Sequence, residues 1–158
     1  MEPILRSLLI GAGATLVMDA WAVLLRQLGV PSLNLAMLGR WIGHLPRGRF
    51  VHESIVRAAP VRGELALGWA AHYAIGVSFA GLLLAIFGLR WAHSPTLWPA
   101  LLIGVVTVAA PLLLLQPALG NGVAFLKTAT PLRSSLKSLA THTVFGFGLY
   151  LAALVTGP

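Results

Sequence analysis

The chain contains no cysteine. Disulfides, thiolate metal ligation and thiol redox chemistry are therefore excluded. Charge is also scarce. Only 9% of the 158 residues are Asp, Glu, Lys or Arg, against roughly 25% in soluble domains. Acidic residues number four, beside eleven basic ones. What the chain has in quantity is apolar surface, at 58% hydrophobic residues. That balance excludes an ordinary soluble domain and points to an all-α integral membrane protein. A net charge of +7 would suggest nucleic acid in a soluble chain. In a membrane chain it sets orientation instead, and no nucleic-acid partner is expected.

Four apolar stretches reach the length of about 20 residues that a spanning helix needs. They cover 4–28, 64–89, 95–116 and 135–156 within one transmembrane domain, 1–158. The expected architecture is a four-transmembrane-helix bundle with a cytoplasmic amphipathic connection between the first two spans. The first stretch carries Asp19 and no small-x-small cleavage pattern, so it reads as a span and not as a signal peptide.

Basic residues sort the loops. Arg26, Arg40, Arg47, Arg49, Arg57 and Arg62 fall before the second span, and Lys127, Arg133 and Lys137 around the third loop. Arg6 and Arg90 fall on the opposite side. The positive-inside rule then puts both basic segments in the cytoplasm and both termini in the periplasm of an inner membrane. Trp91 and Trp98 read as an aromatic anchor beside the short outer turn.

Three titratable residues interrupt the spans: Asp19, His72 and His142. A charged side chain at the centre of a span costs roughly 2.5–3.5 kcal/mol on insertion scales. On this topology each of the three lies roughly 10–14 Å inside the cytoplasmic boundary. Each also shares a four-residue stripe with small residues: Gly11 and Thr15 with Asp19, Gly68 and Gly76 with His72, Ser138 and Gly146 with His142. Small residues let spanning helices approach closely, so the stripes should face other helices. They leave a homo-oligomer open. In the third span Pro111 removes a backbone donor and should kink the helix. Gln116–Pro117 and Gly120–Asn121–Gly122 should end it, and the Gln116 amide is a further candidate for lining a cavity.

The connection predicts two short helices, Leu33 to Ile42 and Val51 to Ala59, the second with Glu53 and Arg57 paired at i,i+4. Arg40, Arg47, Arg49 and Arg62 are candidate anion or lipid contacts, toward anionic headgroups at the cytoplasmic face. His44, His52 and Glu53 are separated by proline and glycines, so no helix aligns them as a metal motif. No His-Glu-x-x-His or Walker pattern is present.

Several runs carry a resemblance. Gly13-Ala-Thr-Leu-Val-Met-Asp19-Ala-Trp21, Gly39-Arg-Trp-Ile-Gly-His44, Pro60-Val-Arg-Gly-Glu64, Gly68-Trp-Ala-Ala-His72-Tyr73 and Gln116-Pro-Ala-Leu-Gly120 resemble a family of uncharacterised bacterial inner-membrane proteins, catalogued as a domain of unknown function. The resemblance implies a four-helix membrane protein of bacterial origin. It supplies no activity and no catalytic residue.

The leading functional expectation is a polar intramembrane site that binds or moves a small ligand, ion or proton. Asp19 is its charge-bearing group, His72 and His142 are proton partners or ligands, and Gln116 is a secondary contact. A second reading is a membrane redox protein, quinone-linked or binding a b-type haem between His72 and His142, with Gly76 and Gly146 giving room for the macrocycle. A third is a structural or assembly subunit.

Overall fold

A computed structural model describes residues 2–32 and 34–156. Leu33, where the first connection helix was expected to begin, and the C-terminal Pro158 lie outside the described residues. Every regular element described is helical: α1 (Glu2–Gln27), α2 (Leu35–His44), α3 (Glu64–Phe87), α4 (Leu89–His93), α5 (Leu97–Thr107), α6 (Gln116–Leu119) and α7 (Pro131–Val155), with a π-helical segment at Ala110–Leu115 between α5 and α6. Four helices are long and apolar enough to cross a membrane: Pro3–Gln27, Glu64–Phe87, Leu97–Leu119 and Pro131–Val155. The third runs three residues past its expected end. The fourth starts four residues early, because Pro131 needs no intrahelical donor at a first turn.

The chain divides into two compact units. One comprises Met1–Ser32, Tyr73–Thr107 and Leu139–Pro158. Its core joins Ile10 and Ala14 of α1, Ala80, Leu83 and Leu84 of α3, Ala100 and Ile103 of α5, and Phe145, Leu149, Ala152 and Ala153 of α7. Glycines set these contacts. A methyl at Gly11 would strike the Val77 backbone, one at Gly76 the Thr15 hydroxyl, and one at Gly104 the Gly146 Cα. Gly148 lies against the Ala14 backbone in the same way. The small-residue stripes thus bring helices together at backbone distance. The opposite faces carry exposed Leu5, Leu9 and Leu16 on α1 and Leu82 and Ile86 on α3, as a lipid-facing surface requires. Trp91 is a core residue, 6% exposed, and its indole N–H donates to the Thr96 carbonyl at 3.0 Å. Trp98, 70% exposed, is the one with an anchor's exposure.

The second unit comprises Leu33–His72 and Val108–Ser138. Here α2 starts where Asn34 accepts the Ala36 N–H at 3.0 Å. It buries Leu38, Gly39, Arg40 and His44. A methyl on Gly39 would run into the Glu64 carbonyl, and one on Gly68 into the Leu35 carbonyl, so α2 and the start of α3 touch through backbone. Pro111 does not simply kink its helix. The turn widens into the π-helical segment, in which the Gln116 N–H bonds the Pro111 carbonyl, five residues back. Such widening restores partners that a proline would otherwise strand. Gly120, at φ 96°, then closes α6 in the left-handed conformation.

The second connection helix is not formed. Val51 to Ala59 contains only one 3₁₀ turn, Ile55–Arg57, so Glu53 and Arg57 have no helical register to pair them. The physical reason is Arg40, whose guanidinium takes the carbonyls of Ile55, Val56 and Ala58 at 3.3, 3.1 and 3.2 Å. A regular helix would consume those acceptors.

Candidate functional site

Asp19 sits on α1 among apolar residues, and its Oδ2 accepts the phenolic O–H of Tyr73 on α3 at 3.0 Å. A phenol donating to a carboxylate is a charge-assisted bond, stronger than one between neutral groups. In the same unit α5 meets α7 through Thr107 and His142, 3.3 Å from Oγ1 to Nδ1. The Thr107 hydroxyl donates its only proton to the Gly104 carbonyl at 2.9 Å. It therefore accepts from His142, which fixes a proton on Nδ1. A third pair joins α1 to α7, with the Trp21 indole N–H donating to Thr141 Oγ1 at 3.3 Å. All four long apolar helices thus contribute a polar side chain to this unit.

His72 and Gln116 belong to the second unit. The His72 ring meets Trp69 edge-on, with centroids 6.0 Å apart. Gln116 is buried at 4% exposure and accepts the Asn121 amide N–H at 2.7 Å, which ties the helix end to the turn that follows.

Arg40 is not an exposed anion contact. It is buried, and it holds Glu64 through Nε to Oε2 at 2.8 Å and NH2 to Oε1 at 2.7 Å. Its remaining terminal nitrogen takes the three connection carbonyls. The Glu64 hydrogen bond holds the Arg40 guanidinium above its usual pKa, against the opposing effect of burial. Arg47, Arg49 and Arg62 are exposed.

Two histidines that the linear spacing separates are adjacent in space. His44 Nδ1 and His52 Nε2 lie 2.8 Å apart. The ring centroids are 5.0 Å apart, with planes 29° from parallel, as for imidazoles joined edge to edge by one N–H···N bond. The loop does what no helix could: His52 N–H bonds the Ala118 carbonyl at 2.9 Å, and the Trp41 indole bonds the Phe50 carbonyl at 2.8 Å. Burial, first, and then the neighbouring His52 push the His44 pKa below the usual histidine value. Among the described residues no three His, Cys, Asp or Glu side chains gather as a metal site.

Sequence reasoning missed Tyr73, Thr107 and Glu64 as partners. The available signal was scarcity: with four acidic residues in the chain, Asp19 and Glu64 each had to be met by a donor. The glycines assigned to make room for haem do not make it. Gly76 is occupied by Thr15, and Gly146 packs on Ala100, Leu101 and Gly104, so the space for a macrocycle beside them is filled by helix.

Residues 8–156 match the family described as "Protein of unknown function (DUF2938)". The chain belongs to that family, whose description carries no activity. No curated protein and no solved structure matches the chain.

Proposed function

We propose that this chain is a multi-pass protein of the bacterial inner membrane in which Asp19 binds and releases a proton, with His142 as a proton partner. The observation that carries the reading is the Tyr73 hydroxyl bonded to Asp19 at 3.0 Å between two apolar helices. An intramembrane carboxylate needs a cation, a proton or fixed donors. The phenol O–H of Tyr73 is a donor that a carboxylate and a carboxylic acid both accept. Such a group changes protonation without losing its place. The Thr107–His142 pair favours the same chemistry, because it orients an imidazole, a group able to exchange protons.

Orientation follows the basic residues. The surplus of arginine before the second span supports periplasmic termini, and exposed Arg47, Arg49 and Arg62 suit anionic headgroups at the cytoplasmic face. Reporter fusions after the last helix and within 47–57 should report opposite sides of the membrane.

An apolar carbodiimide tests the site itself, since it enters the membrane and modifies a protonated carboxyl. Mass spectrometry should find the adduct on Asp19 and none at that position in Asp19→Asn. A protein modified only at its other carboxyls would contradict the reading.

A further inference from the structure

One buried polar atom lies outside the proposed intramembrane chemistry. His52 Nδ1 is buried and has no hydrogen-bond partner. Its neighbours decide what it is. The Ala59 backbone forms a hydrogen bond that favours protonated His44, so the Ala59 carbonyl accepts a ring N–H. His44 Nδ1 faces His52, so that N–H is on Nε2. A neutral His44 then presents a lone pair at Nδ1, and His52 must donate to it from Nε2. The chain of bonds runs His52 Nε2–H to His44 Nδ1, then His44 Nε2–H to the Ala59 carbonyl. It leaves His52 Nδ1 as a bare lone pair.

An added proton has one destination. If it stays on His52, Nδ1 carries it. If it shifts along the N–H···N bond to His44, His52 must reverse its tautomer to accept, and Nδ1 again carries a hydrogen. Both arrangements place an N–H where no acceptor is present, together with a positive charge. An unsatisfied buried donor is costly, and a buried charge more so. The surrounding charges oppose it further. Arg47 and Arg49 act on His44 with the same sign. The nearby Glu64 is already held by Arg40, and Arg40 itself is cationic. Burial lowers the proton affinity of His44 in the same direction.

We propose that His52 Nδ1 is the proton-accepting atom of a two-imidazole site in the connection, and that its protonation releases residues 50–58 from α2. The ring reaches an acceptor only by turning to water. That movement breaks the bond to His44 and pulls on two of the anchors of the same stretch, His52 N–H to the Ala118 carbonyl and Trp41 to the Phe50 carbonyl, which lie beside the carbonyls that Arg40 holds. The connection is thereby a pH-sensitive strap, closed near neutrality and opened by acid on its own side of the membrane.

The test uses the whole protein in lipid nanodiscs. Nitrogen NMR of histidine-labelled protein at neutral pH should show both His44 and His52 protonated on Nε2; a hydrogen on His52 Nδ1 there overturns the proposal. Hydrogen exchange of residues 50–58, corrected for the intrinsic pH dependence, should lose protection about tenfold between about pH 7.5 and about pH 5. His52→Gln keeps a donor for His44 but cannot titrate, and its protection should stay constant over that range. Unchanged protection in the wild-type protein overturns the proposal, as does an equal loss in His52→Gln. Should that variant fail to fold, the wild-type tautomers and protection still decide.

Discussion

Arg40 and Glu64 meet through two parallel N–H···O bonds, 2.8 and 2.7 Å long, although α2 and α3 are separated by an irregular connection. The pair joins the two helices, and the unused face of the same guanidinium collects the connection carbonyls. Removing one partner strands the other, whereas removing both leaves only a packing defect. The apparent Tm in mild detergent should therefore fall further in Arg40→Met and in Glu64→Met than in the double variant. A double variant that loses the sum of both would contradict this arrangement.

Close helix contacts predict a sharp contrast among glycines. Gly39→Ala and Gly104→Ala force a methyl against neighbouring backbone, and overpacking of this kind costs about 1–3 kcal/mol. Gly81 also lies within a long helix, but its nearest neighbour would be the Ser7 hydroxyl at 3.7 Å, an ordinary contact. Gly81→Ala should leave the unfolding midpoint unchanged or raise it. Unfolding in denaturant from mixed micelles separates the two classes.

Acid should weaken the fold through His44. Its folded-state pKa lies below the ordinary 6.5 because burial disfavours the charged ring. The unfolded chain takes up that proton first, so the stability present above about pH 6.5 is lost as pH falls toward the folded value. Thermal unfolding followed by circular dichroism should show a falling midpoint over that window, and His44→Gln should flatten the slope.

Tyr73→Phe separates structure from chemistry. Hydrogen bonds between membrane helices average about 0.6 kcal/mol, so the variant should fold with nearly unchanged stability. Proton exchange at Asp19 should nonetheless slow, because the carboxyl loses a donor that helps to orient it. A large stability loss with unchanged exchange would make the Tyr73 bond purely architectural.

Much of this was legible in the sequence, for definite reasons. The four long helices follow from apolar length, and the stripes through Gly11, Gly76 and Gly146 from four-residue spacing, both local properties. The Tyr73–Asp19 and Thr107–His142 pairs depend on the rotation of one helix about another, which a drifting stripe fixes only to within a quadrant or so. The connection was least legible. Its shape depends on Arg40 gathering carbonyls from a segment fifteen and more residues away, and on His44 and His52 meeting across a proline and glycines. Local propensity at Val51 to Ala59 favoured helix and was overridden by that long-range demand.

Proton movement in proteoliposomes tests the central claim most directly. Protein reconstituted with an interior pH-sensitive dye is placed under a potassium diffusion potential, interior negative, and interior acidification is followed. The account predicts that wild-type vesicles acidify faster than protein-free vesicles, that Tyr73→Phe is slower, and that Asp19→Asn falls to the protein-free rate. Wild-type vesicles no faster than protein-free ones, or Asp19→Asn as fast as wild type, would contradict it.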